Sequence, residues 1–147
     1  MSYPTNAATA AVRQKLSVEL IDGTGASAPG NAELHYEPGD PYAVTVTFAV
    51  EQAGVSWTFG RDLLVHGTYR PTGEGDVRVW PCLDAEGQAV VIFELRSYDR
   101  IGLVQFRTVD LHPFIDRMVT AVPFGTESGM VDVDSSLAAL LVPERGE

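Results

Sequence analysis

The sequence predicts an α+β domain: a curved antiparallel sheet with helices on one side, in the order strands, helix, strands, helix. Three observations predict it. Apolar and polar residues alternate over several short runs. Turn-forming segments separate those runs and draw on 14 Gly and 9 Pro. One long segment, from Leu111 to Val122, instead carries its apolar residues at helical spacings. At 147 residues the chain is sized for one domain. That domain is expected over residues 12–142, between a flexible N-terminal arm at 1–11 and a C-terminal tail at 143–147. An apolar content of 45% against 20% charged residues is that of a globular chain.

Leu16, Val18 and Leu20 alternate within Lys15–Ile21 and predict a first strand. Asp22 to Asn31 is rich in Gly, Ala and Ser and reads as a connector. Ala32, Leu34 and Tyr36 alternate again, up to the turn Glu37-Pro-Gly-Asp-Pro41. Val44, Val46, Phe48 and Val50, set against Thr45, Thr47 and Ala49, form the clearest strand; Val55, Trp57 and Phe59 give it a hairpin partner. Arg61–Gly67 breaks the alternation. Its Leu63, Leu64 and terminal Gly67 fit a short helix closed by a glycine cap. Pro71–Asp76 is a second turn cluster. Val77–Leu83, Ala89–Leu95 and Ile101–Arg107 then predict a meander, in which Ala89–Phe93 is apolar on both faces and requires cover on each. The long helix follows, capped by Thr108 or Asp110, with Pro113 in its first turn and Pro123 as its stop. A last short helix is expected from Asp134 or Ser135 to Leu141. Each half sends strands into one helix, as an old duplication would leave it.

Charge excludes several functions. With 20 acidic and 10 basic residues the net charge is −10, so the chain is a poor partner for nucleic acid or an anionic membrane. No apolar run approaches the ~18 residues of a membrane span, so direct membrane insertion is not expected. The N-terminus lacks the basic-then-apolar order of a secretory signal, which makes the cytoplasm the expected compartment. A single cysteine excludes an internal disulfide framework and a multi-cysteine zinc site. His35, His66 and His112 have no second ligand at metal spacing, and Cys82 reads as a small buried apolar side chain. Gly73-Glu-Gly75 starts like a phosphate loop, but a strand follows it and Glu74 and Asp76 would repel phosphate. Asp132-Val-Asp134 reads as a helix cap, not a calcium loop. No nucleophile, base and oxyanion stabiliser assemble, so neither catalysis nor a cofactor is expected.

Charged and aromatic side chains do meet at strand ends, in Arg61-Asp62 and in Asp76-Val-Arg78-Val-Trp80. Alternation puts Arg78, Trp80 and Cys82 on one face of their strand. Two readings stand: an Arg stem packed on Trp with a carboxylate neighbour, or a protein-recognition patch, since Trp and Arg are enriched at interface centres. The candidate partner-binding residues are therefore Arg61, Asp62, Arg70, Asp76, Arg78 and Trp80. Arg70, Arg78, Arg96, Arg100 and Arg107 would have to converge to serve a single-stranded nucleic acid, against the overall charge.

Tyr36-Glu-Pro-Gly-Asp-Pro-Tyr-Ala-Val-Thr-Val-Thr-Phe48, Trp57-Thr-Phe-Gly-Arg-Asp-Leu-Leu64 and Gly67-Thr-Tyr-Arg-Pro-Thr-Gly-Glu-Gly-Asp-Val-Arg-Val-Trp-Pro81 together resemble the SsgA-like sporulation and cell-division regulators of actinomycetes. Val122-Pro-Phe-Gly-Thr-Glu127 continues the resemblance, which covers about Leu16 to Leu141. It implies a small cytoplasmic protein without known catalytic activity that acts in septum placement. It also implies a whirly-like fold and assembly as a homotrimer. The implied partners are FtsZ, the tubulin-like division protein, or an SsgA-like paralogue, with the protein concentrated at division septa. Gly60, Cys82 and Phe124 depart from the usual pattern, which leaves the paralogue open. The alternative implied by the fold is a single-stranded nucleic-acid-binding module.

Overall fold

The computed structural model describes residues 10–50, 53–98 and 100–129. Its elements are β1 (Val12–Ile21), β2 (Ser27–Tyr36), β3 (Ala43–Val50), β4 (Ala53–Gly60), α1 (Arg61–Gly67), β5 (Thr72–Glu74), β6 (Val77–Leu83), β7 (Ala89–Ser97), β8 (Arg100–Arg107) and α2 (Thr108–Ala121). The strands form one eight-stranded sheet in the order β4-β3-β2-β1-β8-β7-β6-β5. Every neighbouring pair is antiparallel. Two meanders thus meet at a short seam where β1 pairs with β8, with Val18 opposite Phe106 and Leu20 opposite Val104. Each meander runs into one helix, which is the organisation the sequence predicts.

Alternation gives the sheet one continuous apolar face. Leu16, Leu34, Val46, Phe59, Val79, Phe93 and Phe106 join a single buried cluster with Leu63 and Leu64 of α1 and Leu111, Phe114 and Met118 of α2. Both helices therefore lie on that inner face. The sheet must also curl. Laid flat, eight strands would hold β4 and β5 about 34 Å apart, whereas the seven-residue α1 is only about 10 Å long. Yet α1 packs against β3 and β4 at one edge and against β5 and β6 at the other. Gly67 makes that approach possible, because a Cβ there would lie 2.3 Å from Val79 Cγ1.

Several local expectations are corrected. The connector shrinks to residues 22–26, because Ser27–Asn31 belong to β2 and pair with Ser17–Ile21; small, polar residues carry no period, but the long β1 supplies the ladder they complete. Thr72–Glu74, expected as a turn, forms β5 on the edge of β6, around Gly75 at φ +61°. Gly67 is the last residue of α1 and not its left-handed cap; Thr68 closes the helix in the right-handed region. Neither Thr108 nor Asp110 caps α2, whose N-cap is Arg107, and Pro113 sits in the second turn. Cys82 is exposed, at the end of β6 where the core face stops. The helix expected from Asp134 or Ser135 to Leu141, and Asp132, lie outside the described residues.

Arg61, expected at a recognition surface, is 1% exposed. It opens α1 and its side chain turns inward. One guanidinium nitrogen donates to Glu127 Oε2 at 2.7 Å and the other to the Tyr36 hydroxyl at 3.2 Å. Tyr36 in turn donates to the Pro41 carbonyl at 3.0 Å. The guanidinium carbon lies 5.6 Å from the Tyr36 ring centroid and 4.9 Å from that of Phe124, a cation–π arrangement on both sides. Glu127 also accepts the Gly125 N–H at 2.9 Å. This box ties the segment after α2 to the start of α1 and to β2. The hydrogen bond from Arg61 holds the Glu127 carboxyl below the ordinary value of 4.5. Burial pushes the Tyr36 phenol up, partly offset by the Arg61 charge.

Removing Glu127 would strand a buried cation, so Glu127→Gln should cost about 3–5 kcal/mol at neutral pH. A carboxyl depressed by folding contributes fully above its unfolded value and loses that contribution as pH falls through the folded one. The gap between wild type and Glu127→Gln in urea unfolding should therefore hold at pH 7 and close below the ordinary value of 4.5. A gap independent of pH would refute the box. Met118, fully buried on α2, gives a second check. Met118→Asp should remove a large part of a stability of about 5–15 kcal/mol, and an unchanged melting temperature would contradict the core assignment.

Candidate protein-recognition face

Because Val77 and Val79 of β6 face the core, Arg78, Trp80 and Cys82 face outward. The register then assembles their neighbours. Arg78 lies opposite Glu94, Trp80 opposite Ile92 and Cys82 opposite Val90 on β7. On the far side, β8 sets Leu103 opposite Glu94, Gln105 opposite Ile92 and Arg107 opposite Val90. Val90 and Ile92 are 1% and 7% exposed although they lie outside the main core cluster. The outer face of β6–β8 therefore has its own apolar centre, Trp80, Val90 and Ile92, rimmed by Arg78, Glu94, Arg96 and Arg107. The other half of the same face is polar: Thr45 and Thr58 pair at 2.9 Å, and Thr47 and Ser56 at 2.8 Å.

A cleft of about 610 Å³ runs beside this centre, lined by Pro71, Gly73, Arg78, Trp80 and Glu94. Gly73 shapes it, since a Cβ there would stand 3.3 Å from Arg78 Cγ. The Arg78 stem thus lies against Gly73 of β5. Glu94 is engaged elsewhere, accepting from Arg96 Nε at 2.7 Å. Among the described residues Arg78 makes no ion pair, and it is exposed. The cleft fits recognition of another protein, with an aromatic side chain and an exposed Arg on its wall.

The remaining predicted residues scatter around this face. Asp76 is exposed in the β5–β6 turn, and its carbonyl accepts the Arg96 N–H at 2.9 Å. Arg70 is exposed before β5, its guanidinium 5.8 Å from the ring centroid of Tyr69, which is itself 62% exposed. Asp62 is exposed in the first turn of α1, where a carboxylate complements the helix N-terminus. The five arginines of this half do not converge. Arg78, Arg96 and Arg107 share the outer face, Arg70 lies in a loop, and Arg100 lines a separate apolar cavity. Arg96 is paired with Glu94, and Arg107 lies 3.9 Å from Asp110.

His35 lies 3.2 Å from Glu37, and no three His, Cys, Asp or Glu come together as a metal site among the described residues. No described helix is long and apolar enough to cross a membrane. Ile92, Val90, Glu94 and Tyr69 were not foreseen as site residues. The one signal for the first two was the run Ala89–Phe93, apolar on both faces.

The pattern for the family described as Streptomyces sporulation and cell division protein, SsgA, matches residues 31–127, from β2 through the Arg61–Glu127 box. The sporulation-specific cell division protein SsgB of Streptomyces coelicolor is 41% identical, over 86% of this chain and 93% of its own. SsgB of Frankia casuarinae is 38% identical, over 91% of this chain and 95% of its own. The crystal structure of the SsgA-like sporulation-specific cell division protein from Thermobifida fusca superposes with a TM-score of 0.83 at 34% identity, covering 94% of this chain and 98% of that one. Blocks, fold and near-full coverage agree: the chain belongs to the SsgA family of sporulation and cell division proteins.

Proposed function

We propose that this protein is a non-enzymatic regulator of sporulation-specific division, which positions or activates septation by binding another protein through the outer face of β6–β8. The observation that carries the reading is the half-buried Trp80 at the cleft beside an exposed Arg78 that makes no ion pair among the described residues. The names of its relatives support the biological setting. On this reading the partner is FtsZ or an SsgA-like paralogue. The protein acts in the cytoplasm, concentrates at septa and assembles as a homotrimer. Asp76 and Arg70 flank the contact, and Asp62, on the helix of the inner face, stands apart from it.

Because the net charge is −10 and FtsZ proteins are generally acidic, long-range attraction does not steer this encounter. Affinity then comes from the compact patch. Trp80→Ala combined with Arg78→Ala should leave the fold intact yet weaken partner binding by about 2 kcal/mol or more, the scale of an interface hot spot. Surface plasmon resonance from low to high salt checks both points. Undiminished binding by the double variant removes the patch from the reading, and binding that collapses with salt removes the electrostatic argument.

A fluorescent fusion should form a septal ladder in sporulating filaments. Nucleoid staining would instead favour the single-stranded nucleic-acid module of whirly-like fold. That alternative predicts a salt-sensitive complex with mixed-sequence oligonucleotides at roughly 0.1 mM to 1 μM, whereas the divided arginines predict negligible binding. Light scattering should return the mass of a trimer; the mass of a monomer would overturn the assembly.

A further inference from the structure

Away from the recognition face, the strand ends remote from the Arg61 box open into a cavity of about 790 Å³, within the ordinary range of small-molecule sites. Its walls are Leu20, Phe48, Val55, Trp57, Leu95 and Val104, drawn from β1, β3, β4, β7 and β8. Leu20 and Trp57, half-buried, pack against the core cluster, so the cavity continues the core outward. Val55 and Ile101 at its mouth are 43% and 48% exposed. The space exists because Gly102 occupies a core-facing position in β8, opposite Leu95, where Val104 and Phe106 continue the row. A Cβ at Gly102 would meet nothing within 4 Å.

The rim carries charge of one useful kind. Arg100 lines it, together with Ser27, Ser97 and Asp22. The carboxylate of Asp22 is taken up by its own turn: Oδ1 accepts the Thr24 N–H at 2.9 Å, the Thr24 hydroxyl at 2.7 Å and the Ala26 N–H at 3.1 Å. Arg100 is thus the group that faces an anion. β1, β3, β7 and β8 are interior strands whose ladders run on both sides, so among these walls only β4 has a free backbone edge. An extended peptide would find few backbone partners there, whereas a hydrocarbon chain needs none.

We propose that this mouth binds a single-chain anionic amphiphile, a long-chain carboxylate, with its hydrocarbon between Trp57 and Leu95 and its carboxylate at Arg100. Trp57 reports on the site directly. With Trp80→Phe removing the other tryptophan, palmitate titrated below its micellar concentration should give a saturable change in Trp57 emission. Gly102→Phe directs a ring into the cavity from a position where a Cβ meets nothing within 4 Å, and adds a residue suited to a strand. It should keep or raise the melting temperature and weaken palmitate at least about tenfold. Val55→Asp, at an exposed position, should weaken it likewise without touching the core. Arg100→Gln should weaken palmitate about tenfold, as expected for a charge-assisted hydrogen bond, and leave hexadecanol unchanged. The proposal is overturned by an unsaturable Trp57 response, or by palmitate binding equally well to folded Gly102→Phe or Val55→Asp. Equal losses of palmitate and hexadecanol in Arg100→Gln would overturn it too. A changed molecular mass of Gly102→Phe in light scattering would also overturn it, by making the mouth a contact between copies.

Discussion

The close approach of α1 to β6 sets the shape of everything else. A seven-residue helix that touches both ends of an eight-stranded sheet leaves the sheet no choice but to curl. The approach depends on the missing side chain at Gly67, against which Val79 packs at a distance no Cβ tolerates. It depends equally on Arg61 at the other end of the helix, whose buried charge is matched by Glu127 and flanked by the rings of Tyr36 and Phe124. A buried ion pair is weak evidence for stability as such, because desolvation offsets much of the attraction. Its use here is positional. It fixes where α1 begins and where the chain leaving α2 returns, and so links the two meanders at a point remote from their short β1–β8 seam.

Much of this was legible in the sequence, because period-two and helical-period patterns are local. Val44–Val50 against Val55–Phe59 gave both strands of a hairpin, and Leu111–Val122 gave α2. Ser27–Asn31 and Thr72–Glu74 were not legible. Their residues are small or polar, and they become strands only because β1 and β6 hold ladders that need partners. The role of Arg61 was misread for a related reason. An Arg-Asp pair at a helix start looks solvent-facing, and the partner that turns it inward, Glu127, lies far along the chain.

The site divides in the same way. Alternation alone placed Arg78, Trp80 and Cys82 on one face, but what they meet depends on register with β7 and β8, which no single-strand pattern contains. That register turns the two-faced run Ala89–Phe93 from a puzzle into an explanation: Val91 and Phe93 serve the core while Val90 and Ile92 floor the outer patch. Net charge was a poor guide to the arginines. The chain is acidic overall, yet three of them share one face, Arg96 paired with Glu94 there and Arg107 lying 3.9 Å from Asp110, while Arg70 and Arg100 lie off it.

The open mouth follows from the same constraint that curls the sheet. Strands of eight residues such as β3 and β4 run about 26 Å, and α1, about 10 Å long, cannot cover them from end to end. It stands beside β4 and β5, the two free edges of the sheet, and separates them where unpaired strands would otherwise invite pairing with another chain. Cover at that end leaves the other end bare. A full barrel would have no edges to shield, and a longer helix would leave no mouth. With Gly102 withdrawing one more side chain from the inner face, an apolar opening becomes the geometric consequence of closing an eight-stranded sheet with so short a helix.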